Sequence, residues 1–135
     1  MYRKHYWDLE QLVVGQFQSD KGRTAWKDYL TGIKGVAPSD MPNPHAHHIL
    51  FKKGLGEAQQ MLVREGQDLL RKVGIDPLFG EEVLYWAPNG VKDQHSHSTL
   101  LSLIEDLREA ANDTAPKSEY VKILREHATK AADRR

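Results

Sequence analysis

Five of the chain's seven histidines fall in two short clusters, at 45–48 and 95–97. Imidazole titrates near neutral pH and is the commonest ligand for zinc and its neighbours. Two clusters of it therefore point to metal binding or proton transfer. The run His47-His48-Ile49-Leu50-Phe51, bounded by Pro44 and Gly54, predicts a short strand over 47–51. Neighbouring residues on a strand face opposite sides, so His47 and His48 cannot share one role. One can hold a metal while the other faces substrate. His95 falls at a loop-to-helix junction, from which a ring can reach a nearby strand. If the strands pair, His47 and His95 can converge on one ion. Fewer than four protein ligands would mark an open, catalytic site.

This arrangement suits phosphodiester hydrolysis. A neutral His48 can take a proton from water near pH 7. A divalent ion held by His47 and His95 offsets charge on the phosphate and on the leaving oxygen. His97, two residues beyond His95, is the alternative ligand. The helix start after His97 adds partial positive charge, which favours a phosphate.

The elements that must position these residues read as follows. Apolar spacing predicts helices over 4–15 and 23–33, with Thr24 capping the second. Prolines and Ser39-Asp40 make 36–44 an irregular connection. Residues 57–73 form an amphipathic helix stopped at Gly74. Val83-Leu84-Tyr85-Trp86 is a second strand, ended by the turn Pro88-Asn89-Gly90. Ser98 or Thr99 then caps a helix carrying Leu100, Leu103, Ile104 and Leu107. After a break at 112–116 comes a last helix over 119–132. The fold class is α+β: predominantly helical, with a short two-stranded core and a long helix inserted between the strands. His5 and His127 fall on expected helix surfaces and receive no role.

At 135 residues with 39% hydrophobic and 28% charged side chains, the chain reads as one globular domain, and as a monomer. There is no cysteine, which excludes disulfides and thiolate metal sites. The first ten residues are too polar for a signal peptide, and no apolar run approaches membrane length, so no membrane partner is expected. Formal net charge is zero, against the usual basic balance of nucleic-acid binders. Positive charge is nevertheless placed locally, at Lys52 and Lys53 directly after the histidines and at Lys92 before His95. These three lysines are the candidate DNA contacts.

The run Pro44-His45-Ala46-His47-His48-Ile49-Leu50-Phe51-Lys52-Lys53-Gly54 resembles the opening motif of the AHH nucleases. These are a branch of the HNH superfamily (ββα-metal, or His-Me finger). The resemblance continues through Gly74-Ile75-Asp76-Pro77 and Trp86-Ala87-Pro88-Asn89 to His95, and covers about residues 44–107. It implies a ββα-metal core at 44–107, with a helical flank at 1–40 and a C-terminal helix at 108–135. His47 matches a metal ligand, His48 the general base and His95 the final ligand. Asn89 matches the asparagine that braces the loop between strand and helix, a role that rests on the resemblance alone. The chain departs from the pattern in two ways. About forty residues separate the histidine pair from Asn89, where simple motifs have a short hairpin. Leu101 and Ser102 stand where many members place a further histidine, while this chain has His97. His95 and His97 remain alternatives as ligand.

The resemblance further implies one divalent cofactor (magnesium, manganese, zinc or nickel) and a DNA substrate cut with little sequence preference. It implies a toxin domain used in interbacterial competition: the C-terminal part of a larger effector, delivered into the cytoplasm of a target bacterium and neutralised by a cognate immunity protein. Two other functions fit the same residues. One is a non-catalytic metal-binding or adaptor domain, suggested by zero net charge and the missing helical histidine. The other is an RNase on the same scaffold, because no residue reports on a 2′-hydroxyl.

Overall fold

The computed structural model describes residues 25–90 and 96–133. Among the described residues there are four helices and one two-stranded sheet. In chain order these are α1 (Trp26–Lys34), β1 (Pro44–His48), α2 (Gly56–Lys72), β2 (Leu84–Pro88), α3 (His97–Asn112) and α4 (Lys117–Asp133). The fold is α+β and mostly helical, with α2 lying between the two strands in sequence. The helix expected over 4–15, together with Thr24, Lys92 and His95, lies outside the described residues.

The strands pair antiparallel, from Pro44 opposite Pro88 to His48 opposite Leu84. Both are edge strands, so a proline at the start of one and the end of the other removes no necessary ladder bond. Strand β1 begins and ends three residues before the expected 47–51. The reason lies in burial: Ile49, Leu50 and Phe51 are all in the core. A strand exposed on one side would turn every second residue outward. The chain leaves the ladder after Ile49, whose N–H still reaches the Val83 carbonyl at 2.9 Å.

Helix α3 forms the centre of the molecule. Leu100, Leu103, Ile104, Leu107 and Ala110 recur at helical spacing and are all buried. Its N-cap is Ser96, not Ser98 or Thr99: the Ser96 hydroxyl accepts the Thr99 N–H at 3.2 Å. Helix α2 packs on one side through Val63, Gly66 and Leu70, and α4 on another through Tyr120, Ile123, Leu124 and Ala128. Arg108 on α3 and Glu65 on α2 close the rim of one contact with a two-pronged ion pair. His127, expected on a helix surface, is instead 8% exposed. Burying it is tolerable because its Nε2 donates to the Asp106 carboxylate of α3 at 2.8 Å.

Among the described residues no helix is long and apolar enough to cross a membrane.

Gly66 sets how closely α2 approaches α3. A Cβ there would lie 2.7 Å from Ile104 Cδ1 and 3.0 Å from Leu50 Cδ1. Gly66→Val is therefore expected to lower unfolding free energy by about 2–3 kcal/mol through overpacking. Chemical denaturation of the two proteins checks this; equal stability would show that the contact is loose.

Candidate active-site groove

Strand β1 separates its histidines as alternation demands. His45 and His47 share one face, with ring centroids 5.2 Å apart. His48 turns to the other face, where it meets the Trp26 ring edge-on at 4.5 Å. Trp26 in turn packs on Phe79 at 5.1 Å, and the Tyr29 hydroxyl bonds the Phe79 carbonyl. The expectation that His47 and His48 face opposite ways thus matches the structure, and each side has its own surroundings.

Two backbone carbonyls fix two of the rings. His45 Nδ1 lies 2.9 Å from the Ala87 carbonyl, across the β1–β2 pair. His48 Nε2 lies 3.0 Å from the Leu78 carbonyl. A carbonyl only accepts, so each of these nitrogens donates a proton. In neutral rings the lone pair then sits on His45 Nε2 and on His48 Nδ1.

The Gly74-Ile75-Asp76-Pro77 segment now has a physical task. The Asp76 carboxylate accepts the N–H groups of Leu78 and Phe79 at 2.8 and 3.0 Å. The Asp76 carbonyl accepts the Gly80 N–H at 3.1 Å. A Cβ on Gly80 would sit 2.6 Å from that carbonyl oxygen, so the turn needs glycine. These bonds shape the turn that presents the Leu78 carbonyl to His48.

The structure brings together four of the residues singled out from sequence. His47, His48, Lys52 and Lys53 line one groove of about 410 Å³ along β1, joined by His45 and Gln59. His47 also borders a smaller hollow of about 150 Å³, with Ser98, Thr99 and Ser102 of α3 and His127 and Lys130 of α4. The first turn of α3 therefore lies beside His47. His97 is the first residue of α3 and is exposed, and it lines neither hollow. Asn89 also lines neither. Its N–H donates to the Asn43 carbonyl at 2.8 Å, and its side-chain oxygen accepts the Gly90 N–H at 2.9 Å. It closes the open end of the strand pair. Among the described residues no group of three or more histidines and carboxylates converges where an ion could sit.

Sequence reasoning gave no role to His45 or His127. For His45 a signal was present: residues two apart on a strand share a face, which pairs it with His47. For His127 the signal was absent, because Asp106 approaches it from another helix.

Burial pushes His48 down to about 4; the Leu78 bond opposes this and the nearby Lys52 charge adds to it. The ring is thus neutral at physiological pH, as proton acceptance requires, and its burial makes it a weak base.

Compared with protein-family models, with curated proteins and with solved structures, the chain matches none.

The His48 environment makes stability depend on pH. Above about pH 6.5 the ring is neutral whether the chain is folded or not, and the folded state is not penalised. As pH falls toward 4, the unfolded chain takes up a proton that the folded protein refuses. Stability is therefore lost across that window, by about 2 kcal/mol between pH 7.5 and 5. Denaturant titrations of wild type and His48→Gln at the two pH values check this. The loss attributed to His48 should be missing from the variant, and an unchanged pH dependence would remove the ring as its source.

Proposed function

We propose that the chain is a metal-dependent endonuclease that hydrolyses DNA phosphodiester bonds on an HNH-type ββα-metal core. The single observation that carries the reading is the groove along β1, where His47, His48, Lys52 and Lys53 lie together. Imidazoles supply metal binding and proton transfer, and ammonium groups supply attraction for phosphate. The ordered motifs shared with the AHH nucleases point the same way.

In this reading His48 takes a proton from the attacking water at Nδ1, the nitrogen that the Leu78 bond leaves as acceptor. The water oxygen bonds to phosphorus, the bond to one sugar oxygen breaks, and that oxygen regains a proton from solvent. A phosphodiester in the groove raises the ring's proton affinity, because its negative charge favours the imidazolium. Lys52 and Lys53 hold the backbone of the nucleic acid, with Lys92 a further contact. A divalent ion held by His47 together with His95 or His97 would stabilise charge on the phosphate and the leaving oxygen. Imidazole donors fit such an ion. Asn89 acts by fixing the end of the strand pair. By the same resemblance the domain is the toxic C-terminal part of a delivered bacterial effector, with an immunity protein as partner.

A second reading is favoured by one observation. His48 is only 5% exposed, with its Nε2 committed to a carbonyl and its ring against Trp26. A ring so enclosed can be purely structural, in a domain that binds metal or protein and cuts nothing.

Plasmid cleavage separates the two. Wild type should nick duplex DNA with added divalent metal and lose activity in chelator. His48→Ala should lose it by a factor of about 10²–10⁴, the usual contribution of a general base. Lys52→Ala should weaken DNA binding and flatten its salt dependence. RNA digested in parallel fixes the substrate. A chain inert with every metal, or fully active without His48, contradicts the proposal.

A further inference from the structure

We propose that His45 and His47 together form a two-imidazole metal site on one face of β1, with His45 as a ligand beside His47. The proposal deepens the nuclease reading, on which it rests for the choice of a divalent transition metal as ligand.

Three observations support it. The first is spacing. Zinc–nitrogen bonds of about 2.0–2.1 Å at a tetrahedral angle put two coordinated ring centroids roughly 5 Å apart. The two rings are 5.2 Å apart, inclined at 67°. Edge-to-face packing allows the same separation, so spacing alone does not decide.

The second observation is the anchor on His45. Its Nδ1 donates to the Ala87 carbonyl at 2.9 Å, which fixes the ring and assigns the lone pair to Nε2. Metal-binding histidines are regularly held this way, by a carbonyl or carboxylate on the nitrogen that does not bind the ion. Ala87 is itself locked in register, opposite His45 in the ladder. The site therefore rests on paired strands and not on a loop.

The third is location. Both residues line the groove of about 410 Å³, and the His45 Nε2 atom is itself buried, so the ion would be held within the fold at the edge of the groove. Lys52 and Lys53 border the same groove, with the Lys52 ammonium 5.5 Å from the centre of the Trp26 ring. His48 contributes nothing to this ion, because it faces Trp26 on the opposite side of the strand.

The test is zinc binding by calorimetry on the full chain, with cobalt absorption reporting coordination geometry. His45→Asn keeps an amide N–H for the Ala87 carbonyl but removes the imidazole. The wild type should bind one zinc ion, and His45→Asn and His47→Asn should each weaken binding by about tenfold or more, while His127→Asn should not. Loss of the imidazole-bound cobalt spectrum in both strand variants is expected as well. If His45→Asn does not fold, nitrogen NMR of wild-type imidazoles replaces it, with zinc shifting His45 Nε2 and His47 together. Affinity in His45→Asn within about twofold of wild type, or no zinc-induced shift at His45, overturns the site. Zinc binding that needs His45 in a chain that cleaves no nucleic acid would uphold the site and overturn the nuclease. Cleavage that survives with unaltered affinity in His45→Asn would do the reverse.

Discussion

Everything in the candidate site depends on the ladder between β1 and β2. Five residue pairs, from Pro44–Pro88 to His48–Leu84, set which side chains face which way. A slip of one residue would exchange the two faces. His48 would leave Trp26 and the Leu78 carbonyl, and His45 and His47 would turn away from the α3–α4 side. Asn89 and Asn43 secure the register at one end through their backbone bond, and Ile49 and Val83 extend it at the other. So short a sheet is not stable on its own. It persists because α1 packs against it and because α4 lies against β2.

The helices supply the energy that the sheet lacks. The α3 face of leucine and isoleucine is buried from both sides, by α2 and by α4, and full burial of each such side chain stabilises by about 1.5–3 kcal/mol. Gly66 lets α2 come close, and the His127–Asp106 bond allows a polar ring inside the α3–α4 contact. A rigid frame of this kind leaves the histidines of β1 little freedom. Their rings are positioned before any ligand arrives, which reduces the ordering cost of binding. The same frame acts against the charged form of His48, whose burial disfavours the imidazolium.

Much of this was legible in the sequence, for reasons that are local. Helix α2 repeats its apolar residues at helical spacing, and Gly74 ends it. The opposite orientation of His47 and His48 follows from strand geometry alone. What escaped was long-range. The start of β1 depends on which residues β2 pairs with, and nothing within 44–51 specifies that. Consecutive apolar residues at 49–51 suggested strand because burial of three in a row by core contacts leaves no periodic mark. Ser96 was missed as the cap because Ser96, Ser98 and Thr99 are chemically alike and only the turn geometry separates them. The enclosure of His48 depends on Trp26 and Leu78, which lie 22 and 30 positions away in the sequence. His127 was placed on a surface because Asp106 sits 21 residues before it, on another helix.

The central claim is that the β1 groove receives the phosphodiester backbone. The most direct measurement is NMR mapping of a short DNA duplex bound to the protein in chelator, where no cleavage occurs. Shifts concentrated on His47, His48, Lys52, Lys53 and Gln59, weakening as salt rises, are the predicted result. Shifts centred instead on the acidic hollow between α3 and α4, lined by Asp106, Glu109, Asp113, Glu119 and Glu126, or no saturable shifts in low salt, would contradict it.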